Sequence, residues 1–104
     1  MILEERTYTL HPGKVGEYFS LYEKEGMAIQ VPILGRLVGY FSSEIGELNQ
    51  VVHMWAYESL EERTRRRAEL MADPRWKAFV PKLLALVQKM ETRILVPAPF
   101  SPLK

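Results

Sequence analysis

His53 and Trp55 are the residues best spaced to do chemistry together. They stand two apart in the tract Gln50–Tyr57, and a strand puts them on one face with Val51 and Tyr57. An imidazole among aromatics and ionisable groups suits proton transfer or the orienting of a ligand. The ionisable groups lie in Ile2–Leu10, where Glu4, Arg6 and Tyr8 share the even positions. Antiparallel pairing of the two tracts sets these three opposite His53 and Trp55. The competing assignment is a core histidine satisfied by a tyrosine or glutamate, with Trp55 and Tyr57 as packing. A register slip of one residue would reverse the face.

The run Glu61-Glu62-Arg63-Thr64-Arg65-Arg66-Arg67 is the other charged feature. Glu61 precedes Arg65 by four and Glu62 precedes Arg66 by four, the favoured order for ion pairs on a solvated helix. Arg63 and Arg67, also four apart, border the apolar stripe and can aim guanidiniums at an anionic ligand between helices and sheet. Trp76, after the helix-starting Asp73-Pro74, reads as a core plug or a substrate-stacking ring. His11, before Pro12-Gly13, reads as a surface turn residue. Two histidines and no cysteine, without His-x-x-x-His or Glu-x-x-His spacing, give no metal site and imply no cofactor. No phosphate loop, dinucleotide fingerprint or nucleophile elbow is present.

The 104 residues fit one domain with one core, over residues 1–104. Fourteen basic against 13 acidic residues leave a formal charge of +1, too balanced to imply nucleic acid or an anionic membrane as partner. No apolar run approaches the roughly 18–20 residues of a membrane span. Met1–Tyr8 places acids where a secretory leader has basic and apolar residues, so a cytoplasmic location is expected.

Ile2–Leu10 reads as a strand, followed by a break at His11-Pro12-Gly13. Val15, Tyr18, Phe19 and Tyr22 then share a helical face. Gly26 weakens that helix, Pro32 opens a second stretch, and Gly35 ends it. Leu37–Glu44 and Gln50–Tyr57 read as strands. A helix begins at Ser59 with a capping box to Glu62 and an inner stripe of Leu60, Thr64, Ala68 and Met71. A last helix opens at Asp73-Pro74, with a bend or break at Pro81. Met90–Val96 is the fourth strand, and residues 97–104 form an irregular proline-rich tail. The order is that of a ferredoxin-like α+β domain, βαββαβ, with a four-stranded antiparallel sheet. Val51–Tyr57 is apolar on both faces, yet the helices suffice for one. A second copy of the chain is the expected cover.

Several tracts resemble the NIPSNAP family. They are Glu4 with Arg6–Leu10 and Pro12-Gly13-Lys14, then Glu44–Tyr57, Ser59-Leu60, the arginine-rich helix, Ala72–Trp76, and Arg93-Ile94-Leu95 with Pro97. The resemblance covers nearly the whole chain. It implies a dimeric α/β barrel in which two ferredoxin-like subunits pack sheet to sheet. That superfamily includes small monooxygenases and haem-handling proteins, and by that analogy His53 would be a haem ligand. The expectation from the residues is a homodimer binding a small hydrophobic or anionic ligand; the resemblance implies that it could be of cofactor-independent oxygenase or isomerase-like type. Its pocket would be lined by Tyr8, Tyr40, His53, Trp55 and Trp76, with Arg6 or Arg93 orienting an anionic group. The alternative is a non-catalytic interaction module.

Overall fold

The computed structural model describes residues 1–104. β1 is Ile2–Leu10, followed by α1 (Val15–Leu21), a π-helical turn (Tyr22–Gly26) and α2 (Met27–Leu34). β2 is Arg36–Ser42, β3 Gln50–Tyr57, α3 Leu60–Ala72, α4 Pro74–Leu84 and β4 Val87–Leu95. The strands form one antiparallel sheet ordered β2-β3-β1-β4. This is the ferredoxin-like α+β fold. All helices lie on one side, in a molecule 19 Å thick in its shortest dimension. The core sits between the layers. Tyr8, Leu10, Val51, Trp55 and Tyr57 of the sheet meet Tyr18, Tyr22, Leu34, Leu70, Trp76, Phe79 and Leu83 of the helices.

Several boundaries differ from the sequence expectation. β2 ends at Ser42 rather than Glu44, and β4 starts at Val87 rather than Met90. Pro32 does not open a helix; it lies inside α2, which continues from α1 through the π turn. Pro81 likewise lies inside α4 without ending it. Both prolines are exposed, as are Ala28 and Lys77, whose carbonyls lose their helical N–H partner to them.

Gly26 is not a weak point but a contact point. An added Cβ would stand 2.7 Å from two ring atoms of Phe79, and Phe79 is itself wedged against Trp76. Gly26→Ala should therefore destabilise by about 1–3 kcal/mol, despite alanine's better helix propensity. Urea titration of the variant measures it; a gain in stability would mean that the Phe79 ring moves freely aside.

The capping at α3 is shifted by one residue. The Ser59 hydroxyl accepts from the Glu62 N–H (3.1 Å), but the Glu62 carboxylate reaches back to the Glu58 N–H (2.7 Å), not that of Ser59. The inner face of α3 also differs from the expected stripe. Leu60 and Met71 are 53% and 46% exposed, while Leu70 is buried and Arg63, Arg66 and Arg67 are half-buried. The arginine run is thus turned inward as much as outward. Its reason is a buried acid on β1.

Candidate functional site

That acid is Glu4, with no exposed surface. Period-2 alternation points Glu4, Arg6 and Tyr8 toward the helices. Arg63 donates to both Glu4 oxygens, Nε to Oε1 at 3.1 Å and Nη2 to Oε2 at 2.8 Å. Arg6 Nη1 and the Thr92 hydroxyl donate to Oε2 at 3.0 and 2.7 Å. Burial alone would raise the carboxyl pKa. The hydrogen bonds from Arg63 and Thr92 and the nearby guanidinium charges outweigh it and hold the group at about 2. Arg6 Nε also donates to the Tyr8 hydroxyl (2.9 Å). Arg67 lies one helical turn beyond Arg63, half-buried, and forms no hydrogen bond or ion pair with the protein.

The strand register places Glu4 opposite Trp55 and Arg6 opposite His53. His53 is 1% exposed and faces the helices, as do Val51, Trp55 and Tyr57. The Tyr40 ring stacks on it (centroids 4.4 Å, planes 5° apart), and Tyr8 meets it edge-on at 4.9 Å. Trp55 Nε1–H donates to His53 Nδ1 at 2.8 Å. This bond fixes the tautomer: with Nδ1 accepting, the neutral ring carries its proton on Nε2. Burial, then the charge of Arg6, lowers the His53 pKa from 6.5 to about 3, so the ring stays neutral. Nε2–H has no acceptor in the protein. His53 therefore holds a free N–H, while its lone pair is taken up by Trp55.

The expected ring of pocket residues is largely packed solid. Tyr8, His53, Trp55 and Trp76 are buried core members. Trp76 packs on Phe79 at 5.3 Å and is a core plug, although its indole N–H lacks an acceptor. Tyr40 alone of the five faces open space. It walls a mostly apolar cavity of about 380 Å³ with Phe19, Ser20, Tyr22, Glu23, Met27 and Leu37. The Tyr40 hydroxyl is bound to that of Tyr18 (2.6 Å), and Tyr22 donates to Gln30 (2.6 Å). Sequence reasoning missed this cavity. Its one legible signal was the aromatic face Tyr18–Phe19–Tyr22 of the first helix.

Arg93 does not join the site. It lies on the opposite sheet face, where its Nε donates to Glu5 at 3.1 Å. Arg63 is engaged by Glu4 rather than free for a ligand. Arg66 pairs with Glu62 (2.8 Å) as expected, and its Nη1 also donates to the Ile33 carbonyl (3.0 Å) at the end of α2. Arg65 forms no ion pair with Glu61. Tyr57 lines a small cavity of about 120 Å³ beneath Glu62 and Arg66, its buried hydroxyl unpartnered and pushed to a pKa of about 12 by burial. No cluster of three or more metal-binding side chains is present. No helix is long and apolar enough to cross a membrane.

Comparison with known proteins agrees with this architecture. A NIPSNAP family protein of Agrobacterium tumefaciens superposes with a TM-score of 0.97 at 53% identity, over 99% of this chain and 98% of that one. Human NipSnap homolog 2 is 36% identical over 99% of this chain but only 35% of its own length. The Dictyostelium discoideum homologue is 37% identical over 92% of this chain and 42% of its own. The chain thus spans less than half the length of these curated relatives. A cofactor-independent oxygenase of Streptomyces nogalater shares the fold alone, at a TM-score of 0.65 and 16% identity over 99% of this chain and 97% of that one. The NIPSNAP family model matches residues 3–102, and the chain belongs to the NIPSNAP family.

Proposed function

We propose that this domain is a homodimeric small-molecule-binding protein whose apolar ligand lies between helices and sheet against Tyr40. The observation that carries the reading is the apolar cavity of about 380 Å³, within the size range of small-molecule sites. Tyr40 connects that cavity to His53 by direct stacking. The imidazole stands behind the Tyr40 ring and does not line the cavity, so Tyr40 is the group that meets the ligand. No side chain around it is placed to accept a proton, because Glu4 is saturated by donors and His53 Nδ1 is occupied. Binding is therefore better supported than turnover.

The helix-free sheet face supports self-association. Phe41 is 53% exposed there, beside half-buried Val52 and Met54. The charges on its β1 and β4 portion are paired within the chain, Glu5 with Arg93 and Lys89 with Glu91, so it does not repel its own copy. A sheet-to-sheet pair buries on the order of 2,000 Å² in total. Sedimentation at micromolar concentration should give twice the chain mass. A monomer would leave that face to a different protein partner, the interaction-module reading.

Native mass spectrometry of the purified protein should detect a retained small molecule, and the apolar fluorophore N-phenylnaphthylamine should bind. Met27→Trp, which narrows the cavity from its exposed rim, should weaken that binding at least tenfold. Absence of both retained molecule and fluorophore binding in the wild type would overturn the ligand reading.

A further inference from the structure

A second feature lies on the other side of His53 from the Tyr40 cavity, toward β1 and β4. Three guanidiniums, Arg6, Arg63 and Arg67, gather around one carboxylate, Glu4. Arg63 and Arg6 both bond Glu4, while Arg67 has no acceptor although it sits half-buried one turn along the same helix face. The other acids nearby in sequence are committed elsewhere: Glu5 to Arg93 on the opposite face, and Glu62 to Arg66. Three guanidiniums around one carboxylate leave positive charge in excess in a partly desolvated cluster, which a further anion would offset. A second and independent sign is the His53 Nε2–H, fully buried and unpartnered, directly across the ladder from Arg6. Arg6 and Arg67 are also among the charges felt by His53, and burial together with Arg6 makes the Arg67 charge costlier to hold.

The surroundings select the kind of anion. On β4, Met90, Thr92 and Ile94 pair with Tyr8, Arg6 and Glu4 and share their helix-side face. Thr92 turns in to Glu4, but Met90 and Ile94 are 49% and 38% exposed, since the helices leave this strand partly uncovered. A cationic, donor-rich cluster thus lies beside a partly exposed apolar ledge.

We infer that this cluster is a binding site for the carboxylate of an amphipathic organic acid, with Arg67 and Arg6 as its charge partners, the His53 Nε2–H as a neutral donor, and Met90 and Ile94 under its apolar chain. A guanidinium offers a planar fork that a carboxylate matches with two parallel hydrogen bonds. The site does not require the Tyr40 cavity to be filled. Met27→Trp should leave it intact, which separates failure here from failure of the cavity reading.

Calorimetric titration with octanoate, and separately with inorganic phosphate, tests the assignment on the whole chain. Octanoate should bind with millimolar or better affinity and phosphate at least tenfold more weakly. Arg67→Gln should reduce octanoate affinity at least tenfold. The same substitution should leave the ligand-free protein as stable as the wild type or more so, since it removes an uncompensated charge; a structural arginine would behave oppositely. The 15N signal of His53 Nε2 should move on adding octanoate. Equal binding of octanoate by Arg67→Gln, preference for phosphate, or no binding of octanoate would each overturn the inference.

Discussion

Glu4→Ala is expected to destabilise the protein by about 3–5 kcal/mol, the range for removing one partner from a buried ion pair. Glu4 is fully buried and accepts four hydrogen bonds from three side chains. Its removal leaves Arg6 and Arg63 desolvated beside Arg67 with no negative charge among them. It also unties α3 from β1, since Arg63 reaches Glu4 across 59 positions of chain. Glu4→Gln keeps the volume and one acceptor oxygen, and should cost less than alanine yet more than a surface substitution. Guanidinium chloride adds salt screening, so urea titrations are the appropriate measure. A cost below 1 kcal/mol for Glu4→Ala would mean that the arginines swing out to water and that the cluster is not a tie between layers.

Acidification should destabilise the fold well before the carboxylates titrate. The His53 pKa falls from 6.5 to about 3 on folding, mainly by burial. A base whose folded pKa is depressed contributes stability that is fully present above the unfolded pKa and lost as pH falls below it. Between pH 6.5 and about 3 the unfolded chain takes up a proton that the native state refuses, with a slope near 1.4 kcal/mol per pH unit. Urea stability at pH 5 should therefore lie about 2 kcal/mol below that at pH 7, at fixed protein concentration. Below pH 4.5 Glu4 adds a second loss, which runs down to its native value of about 2. His53→Asn retains an acceptor for the Trp55 N–H but cannot be protonated in this range, and should flatten the curve between pH 7 and 5. A wild-type curve already flat there would show that His53 is protonated in the native state.

The two effects share an origin. The region around β1 and β3 concentrates polar groups where a core of this size usually has aliphatic side chains. Its specificity comes from hydrogen bonds that each have one geometry: Trp55 to His53, Tyr18 with Tyr40, Arg63 to Glu4. Such a core defines ring orientations and tautomers more sharply than an apolar one, and it leaves unpaired groups conspicuous. Within it, the Nε2–H of His53, the Tyr57 hydroxyl and the Trp76 N–H have no partner in the chain.

Local signals determined much of this protein. Alternation and breakers gave the element order, because strand and helix periods are written in neighbouring residues. Ser59 and Asp73 marked helix starts, and Gly35, with φ of 97°, marked a helix end, because capping acts within a turn of chain. The apolar face of Val51, Trp55 and Tyr57 announced the side of the sheet that the helices cover. What the sequence did not contain was the pairing of distant side chains. Met71 and Leu70 are adjacent and both apolar, yet only Leu70, seven residues on from Arg63 and so on the helix face that meets Glu4, is buried. Arg93 looked equivalent to Arg6 as an anion partner until strand pairing set it on the opposite face. Pro32 read as a helix start because the π turn that carries one helix into the next has no local sequence signature, while the ring of Phe79 against Gly26 reveals its purpose. The tautomer of His53 and the closure of its surroundings by Tyr40 likewise arise only when β2, β3 and the helices meet, since each depends on groups brought together by packing rather than by spacing along the chain.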